Sequence, residues 1–146
     1  MHNNPNFRDD QDTNTDRIFR LSCPYSNMSQ GTQKRLLFVC SAGMLRSPTA
    51  ATIAVKQAAN ARSCGSTVSL ALIPISANLI AWADTVVFMQ NENYLEARVK
   101  FAGQDDILQV LNQKKLVWNI PDHYNYMDDG LVYILETKVK ELINED

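Results

Sequence analysis

Histidine is scarce in this chain of 146 residues: only His2 and His123 occur, too few to build a zinc site from histidine and cysteine. Cysteine is limited to Cys23, Cys40 and Cys64, an odd number with no Cys-x-x-Cys pair. The amino-terminal stretch is polar and does not read as a secretory signal, so the expectation is reduced thiols in a cytoplasmic protein. Long apolar runs are missing as well. The longest apolar-leaning stretch, residues 68–75, falls well short of the roughly 20 residues that cross a bilayer, and no membrane partner is expected. Charge of one sign is also lacking: the formal net charge of -2 gives no bulk field to draw nucleic acid or an anionic surface. Glycine and proline number five each, in keeping with an ordinary globular domain.

What is present divides the chain in two. Residues 1–33 are rich in Asn, Asp, Gln, Ser and Thr, lack a sustained apolar period, and read as a polar, mobile extension. Cys23 falls there, and packing or solvent exposure accounts for it. From Lys34 the pattern becomes regular, and a length of this order suits one domain over residues 34–146.

Within that domain the periodicity predicts strands over residues 35–39, 68–73, 84–89 and 114–119. It predicts helices over 48–61, from Ser76 (as cap) to Trp82, over 91–101 and over 129–143. Pro48 opens the first helix, where its missing N–H is harmless. Ala51, Ala54, Val55 and Ala58 supply a small-residue face against a sheet, and Leu131, Ile134, Leu135, Val139 and Leu142 form the apolar stripe of the last helix. Strands alternating with helices imply an α/β protein with a parallel sheet covered on both faces.

The chemistry concentrates at Cys40-Ser-Ala-Gly-Met-Leu-Arg-Ser47, directly after the first strand. A loop between a strand and a helix turns successive amides inward at the positive end of the helix, which favours an oxyanion and a thiolate over a thiol. The amides of Ser41, Ala42, Gly43, Met44 and Leu45, with Arg46 and Ser47, are the candidate phosphate cradle. Arg46 offers a planar fork to two phosphate oxygens, and Gly43 a left-handed turn residue. Asp122 follows the last strand, so sequence order puts it on the same edge of the sheet as Cys40. Taken alone, a Cys-x5-Arg spacing is weak. The strand before it, the Ser-Pro helix start after it and the acid at the matching edge give it meaning.

These residues resemble the low-molecular-weight protein tyrosine phosphatases. The likeness rests on Cys40-x5-Arg46-Ser47-Pro48, on Trp82-Ala-Asp-Thr-Val-Val-Phe-Met89 as that fold's third strand, and on Ile120-Pro-Asp-His-Tyr124 as its distal acid loop. The run from Ile120 to Asp128 is closer to a compact microbial and phage branch of predicted phosphatases. The resemblance covers roughly Lys34 to the carboxyl terminus. It implies a three-layer α/β/α fold with a four-stranded parallel sheet, in which the second strand would be residues 61–64 instead of 68–73.

The resemblance also implies a cysteine-dependent phosphomonoesterase without metal or organic cofactor, acting on phosphotyrosine protein or a small aryl phosphate. Cys40 would be the nucleophile, Arg46 the phosphate clamp and Asp122 the general acid and base, with Tyr124 and Tyr126 lining the substrate pocket. Simple packing on the loop is the competing account of both tyrosines.

Several positions depart from the family pattern. Gly43 stands where the commoner loop has asparagine, and both residue types tolerate left-handed backbone. Leu45 replaces a second cysteine that in the family pairs with the nucleophile under oxidation. The usual Asp-Pro-Tyr of the acid loop is Asp122-His123-Tyr124, and Asn119 stands where the compact branch tends to carry aspartate. Two other functions fit parts of the pattern: a module that binds a phosphorylated ligand without turnover, and an arsenate-reductase-like thiol enzyme. The latter needs relay cysteines that Cys23 and Cys64 are not placed to supply.

Overall fold

The computed structural model describes residues 33–145. The extension expected over residues 1–33, with Cys23 and His2, lies outside the described residues except for Gln33.

Four parallel strands form one sheet in the order β2-β1-β3-β4: β1 (Arg35–Cys40), β2 (Asn60–Gly65), β3 (Thr85–Phe88) and β4 (Lys115–Val117). Five helices complete the order β1-α1-β2-α2-β3-α3-α4-β4-α5: α1 (Arg46–Lys56), α2 (Ala77–Trp82), α3 (Asn91–Lys100), α4 (Asp105–Lys114) and α5 (Asp129–Ile143). β1 is central and buried on both faces. Leu36, Phe38 and Cys40 pack with α1 and α5, whereas Leu37 and Val39 face the layer that carries Ile80, Tyr94, Ala97 and Leu111 from α2, α3 and α4. This is the three-layer α/β/α architecture with a four-stranded parallel sheet that the alternation and the resemblance predict.

Three elements differ from the sequence reading. The second strand is Asn60–Gly65, and residues 68–73 are turn and bend. Residues 68–73 look like a strand by composition, but Val68 and Leu70 point outward, at 55% and 59% exposure. β2 escapes pattern reading because a fully covered strand has no need to alternate: Asn60, Ala61, Ser63, Cys64 and Gly65 are all buried. The first helix starts at Arg46 and ends at Lys56 instead of running over 48–61. Ala58 adopts φ 69 and turns the chain back towards β2, ending the helix in the left-handed manner common at carboxyl caps. The helix α4 is absent from the sequence reading, although its signal is present: Asp105 and Asp106 in the first turn, Lys114 in the last, and Ile107, Leu108 and Leu111 at helical spacing.

Elsewhere the expected elements agree with the structure to within two residues at each end. Ser76 caps α2 by accepting the Leu79 N–H at 3.2 Å. Leu131, Leu135, Val139 and Leu142 of α5 are buried, with Ile134 packed beside them. The ladder of β4 continues past its last residue, with the Trp118 and Ile120 amides bonded to Phe88 and Met89 carbonyls at 2.8 and 2.9 Å. Those two bonds carry the 118–128 segment back over the carboxyl end of the sheet.

Candidate active site

Cys40 ends β1 and residues 41–45 connect it to α1. The connection is pressed against the end of β2. The Ser66 and Thr67 amides donate to the Cys40 and Ser41 carbonyls, each at 2.9 Å. Gly43 sits at φ +75, and a Cβ there would lie 2.6 Å from the Cys64 carbonyl carbon and 2.7 Å from the Gly65 nitrogen. Gly65 answers from the other side: a Cβ on it would reach the Ser41 oxygen at 2.6 Å. Two glycines therefore let two backbones touch. Among the described residues no backbone carbonyl accepts a hydrogen bond from the amides of residues 41–45, which leaves them as donors at the start of a helix.

Cys40 is 3% exposed, and its Sγ lies 3.2 Å from Ser47 Oγ. Sequence reading makes Ser47 part of a helix-start signal and of the candidate cradle, and by resemblance a donor to the Cys40 sulfur; Leu45 is the N-cap residue and has no side-chain cap. The Ser47 hydroxyl sits between Cys40 Sγ and the Cys64 carbonyl, 3.3 Å away. One hydroxyl proton serves one acceptor at a time, so it can bond the Cys64 carbonyl beside a thiol and the sulfur beside a thiolate.

Arg46 is 1% exposed. Its Nη1 donates to Gln90 Oε1 and to the Ile120 carbonyl, both at 2.8 Å, and Nη2 reaches Ser41 Oγ at 3.4 Å. Among the described residues its Nε has no hydrogen-bond partner, and it forms an ion pair with Asp122 Oδ1 at 3.4 Å, on a side chain that is 55% exposed. Cys40, Arg46 and Asp122 thus come from three segments of the chain to one edge of the sheet.

The segment carrying Asp122 is tied to α1. The Met127 amide donates to Thr49 Oγ1 at 2.9 Å, and that hydroxyl donates to the Leu45 carbonyl at 2.8 Å. Tyr126 places its hydroxyl 3.3 Å from Thr52 Oγ1, and Tyr124 is half-buried against the core with the His123 ring 4.2 Å away. Asn119 is exposed.

Pattern reading missed a polar network behind the cradle. Asn93 Nδ2 donates to Ser41 Oγ and Ser66 Oγ, each at 3.1 Å, and the hydroxyls of Ser66 and Thr67 donate to Glu96 at 2.7–3.1 Å. Asn93 and Glu96 sit three apart on α3, a spacing that marks one helix face and no particular chemistry.

Cys64 is in register with Val39 and buried in the layer opposite to that of Cys40. Burial, then the neighbouring Cys40, push its thiol well above the ordinary range, against a smaller pull from Lys100. A groove of about 450 Å³ lies between Ser66–Ser69 and Leu95, Glu96, Val99 and Lys100, beside the cradle and not in it.

No protein-family model and no curated protein sequence matches the chain. Solved structures do. The YwlE arginine phosphatase of Geobacillus stearothermophilus superposes with a TM-score of 0.58 at 16% identity, over 75% of this chain and 90% of that one. The tyrosine phosphatase Wzb of Escherichia coli K30, in complex with sulphate, gives 0.58 at 17% identity over 77% and 97%. A cysteine-to-serine mutant of YwlE arginine phosphatase, with a phosphorylated active-site serine, gives 0.54 at 19% identity over the same shares. By topology and by superposition, residues 33–145 carry the low-molecular-weight phosphatase fold.

Proposed function

We propose that this protein is a cysteine-dependent phosphomonoesterase in which Cys40 is the nucleophile, Arg46 the phosphate clamp and Asp122 the general acid and base. The observation that carries the reading is the buried Arg46 guanidinium, whose Nε has no hydrogen-bond partner among the described residues, in the same loop-and-helix start as a thiol and a row of amides from which no described backbone carbonyl accepts. A buried donor of this kind is costly unless a ligand completes it, and a tetrahedral dianion is the ligand this donor set suits.

The Cys40 thiolate attacks phosphorus opposite the leaving oxygen. The P–S bond forms as the P–O bond breaks, and Asp122 gives its proton to the departing oxygen. The cradle amides and Arg46 hold the three equatorial oxygens as charge redistributes. Asp122, now a carboxylate, takes a proton from water; the water oxygen bonds to phosphorus and the P–S bond breaks. Cys40 leaves as a thiolate with the Ser47 hydroxyl, 3.2 Å away, as donor. None of these steps calls for a metal.

Phosphotyrosine protein or a small aryl phosphate is the proposed substrate, with Tyr124 and Tyr126 as walls for an aromatic leaving group. The structural neighbours include both tyrosine and arginine phosphatases, so phosphoarginine peptides belong in the same screen. Steady-state hydrolysis of an aryl phosphate is expected for the wild type, and Cys40→Ser is expected to lose at least about 10³-fold in kcat. Activity that survives the substitution would remove Cys40 from the reaction.

A further inference from the structure

A guanidinium can grip an oxyanion end-on, through Nη1 and Nη2, or side-on, through Nε and Nη2. In Arg46 the choice is already made. Both Nη1 hydrogens are engaged, one by Gln90 Oε1 and one by the Ile120 carbonyl, each at 2.8 Å. Among the described residues Nη2 makes one long contact, to Ser41 Oγ at 3.4 Å, and Nε makes no hydrogen bond. The side-on edge is therefore the one left for a ligand, and it is also the edge that meets Asp122.

We propose that Gln90 is the positioning residue that selects this edge. It rests on the phosphatase reading above and extends it to a residue at the carboxyl end of β3. Gln90 holds Arg46 Nη1 from the side of α3 while the Ile120 carbonyl holds it from the acid segment, so neither Nη1 hydrogen can turn towards a substrate. Its own place is fixed by Asn93, whose Oδ1 accepts the Gln90 N–H at 3.1 Å and whose Nδ2 reaches Ser41 Oγ. A neutral amide is well matched to this position, because its oxygen accepts from Arg46 without cancelling the positive charge that the phosphate must meet, as a carboxylate would.

Two variants separate this role from a structural one. Gln90→Ser keeps a preferred N-cap for α3 but is too short to reach Arg46. Gln90→Glu keeps the acceptor and adds a charge. Each is compared with the wild type for kcat, for KM with an aryl phosphate, and for inorganic phosphate affinity by ³¹P NMR titration. Gln90→Ser is expected to melt within a few degrees of the wild type, yet to lose about 10- to 100-fold in kcat/KM and about 10-fold in phosphate affinity, as for a lost hydrogen bond to a charged group. Gln90→Glu is expected to recover most of the kcat while phosphate affinity stays low.

Gln90→Ser within twofold of the wild type in both measures would overturn the proposal, and so would Gln90→Glu turning over as slowly as Gln90→Ser. A wild type that binds phosphate without hydrolysing the ester would sink the phosphatase reading alone. In that case, weaker phosphate binding by Gln90→Ser still supports the positioning role, and equal binding overturns it. A wild type that does not bind phosphate overturns both.

Discussion

One added methyl group at Gly43 probes the contact on which the cradle is built. Gly43→Ala meets two separate costs. The backbone there has φ +75, and holding an L-residue in left-handed geometry costs about 1–2 kcal/mol. The new Cβ also falls 2.6–2.9 Å from the Cys64 carbonyl group and the Gly65 nitrogen. These are backbone atoms of a paired strand with no rotamer to change, and overpacking of this kind costs about 1–3 kcal/mol. The sum, about 2–5 kcal/mol, is a large part of the roughly 5–15 kcal/mol that holds a domain together. The variant should fold but unfold at clearly lower urea, read by the fluorescence of Trp82 and Trp118. Gly43→Asn divides the two costs, because asparagine accepts left-handed backbone but brings the same Cβ. It should recover no more than the conformational part and stay well below the wild type. A Gly43→Asn protein as stable as the wild type would show that the end of β2 yields freely and that the contact does not set the residue. Gly43→Ala within about 0.5 kcal/mol of the wild type, the scatter of neutral surface changes, would refute both costs.

Three further outcomes follow from the site and its surroundings. Asp122→Asn should slow the release of poor leaving groups by about 10²–10⁴-fold and of activated aryl groups far less, while Asn119→Ala changes neither by more than about twofold; the reverse pattern would move the acid to residue 119. Mild peroxide should carry Cys40 beyond sulfenic acid without forming a bond to Cys64, because the two side chains leave the sheet on opposite faces, and a Cys40–Cys64 disulfide found by mass spectrometry would contradict that. At Asp84 burial raises the carboxyl, but the Arg35 amide at 2.9 Å, the Arg35 guanidinium and Lys114 outweigh it and hold the group below its ordinary value. Its stabilisation is thus present above the unfolded value near 3.9 and lost as pH falls through the lower folded value. Asp84→Asn should cost no more than about 1 kcal/mol at pH 7, the side chain being half exposed, and less near pH 2; a penalty that does not change with pH would refute the ion pair as its source.

Parts of the fold were legible because one residue type carried the information locally. Val86, Val87 and Phe88 announce β3, the stripe from Leu131 to Leu142 announces α5, and Ser76 announces the start of α2. Where burial is decided by distant partners, composition pointed the wrong way. Val68 and Leu70 look like strand residues and are exposed, whereas Asn60 and Ser63 look like surface residues and are buried beside β1. The alanines after Lys56 carry equal propensity for more helix, and only the reversal at Ala58 ends it.

The chemistry on offer is already written in the residues: a thiol, a guanidinium at the far end of the five-residue loop that follows it, and an acid after the last strand. Cys40 and Arg46 are neighbours along the chain, and a strand-loop-helix order states locally that their groups face one point. How they are held depends on packing between distant segments. Gly43 needs to be glycine because β2 lies against it, and Ser47 serves the sulfur and the Cys64 carbonyl and caps no helix. Arg46 is held at its Nη1 end by Gln90 and Ile120, 44 and 74 residues away in sequence, and its buried Nε makes no hydrogen bond among the described residues. Contacts at such separations leave no periodic trace in a sequence, since each is made by one polar atom whose partner is chosen by the packing of the sheet.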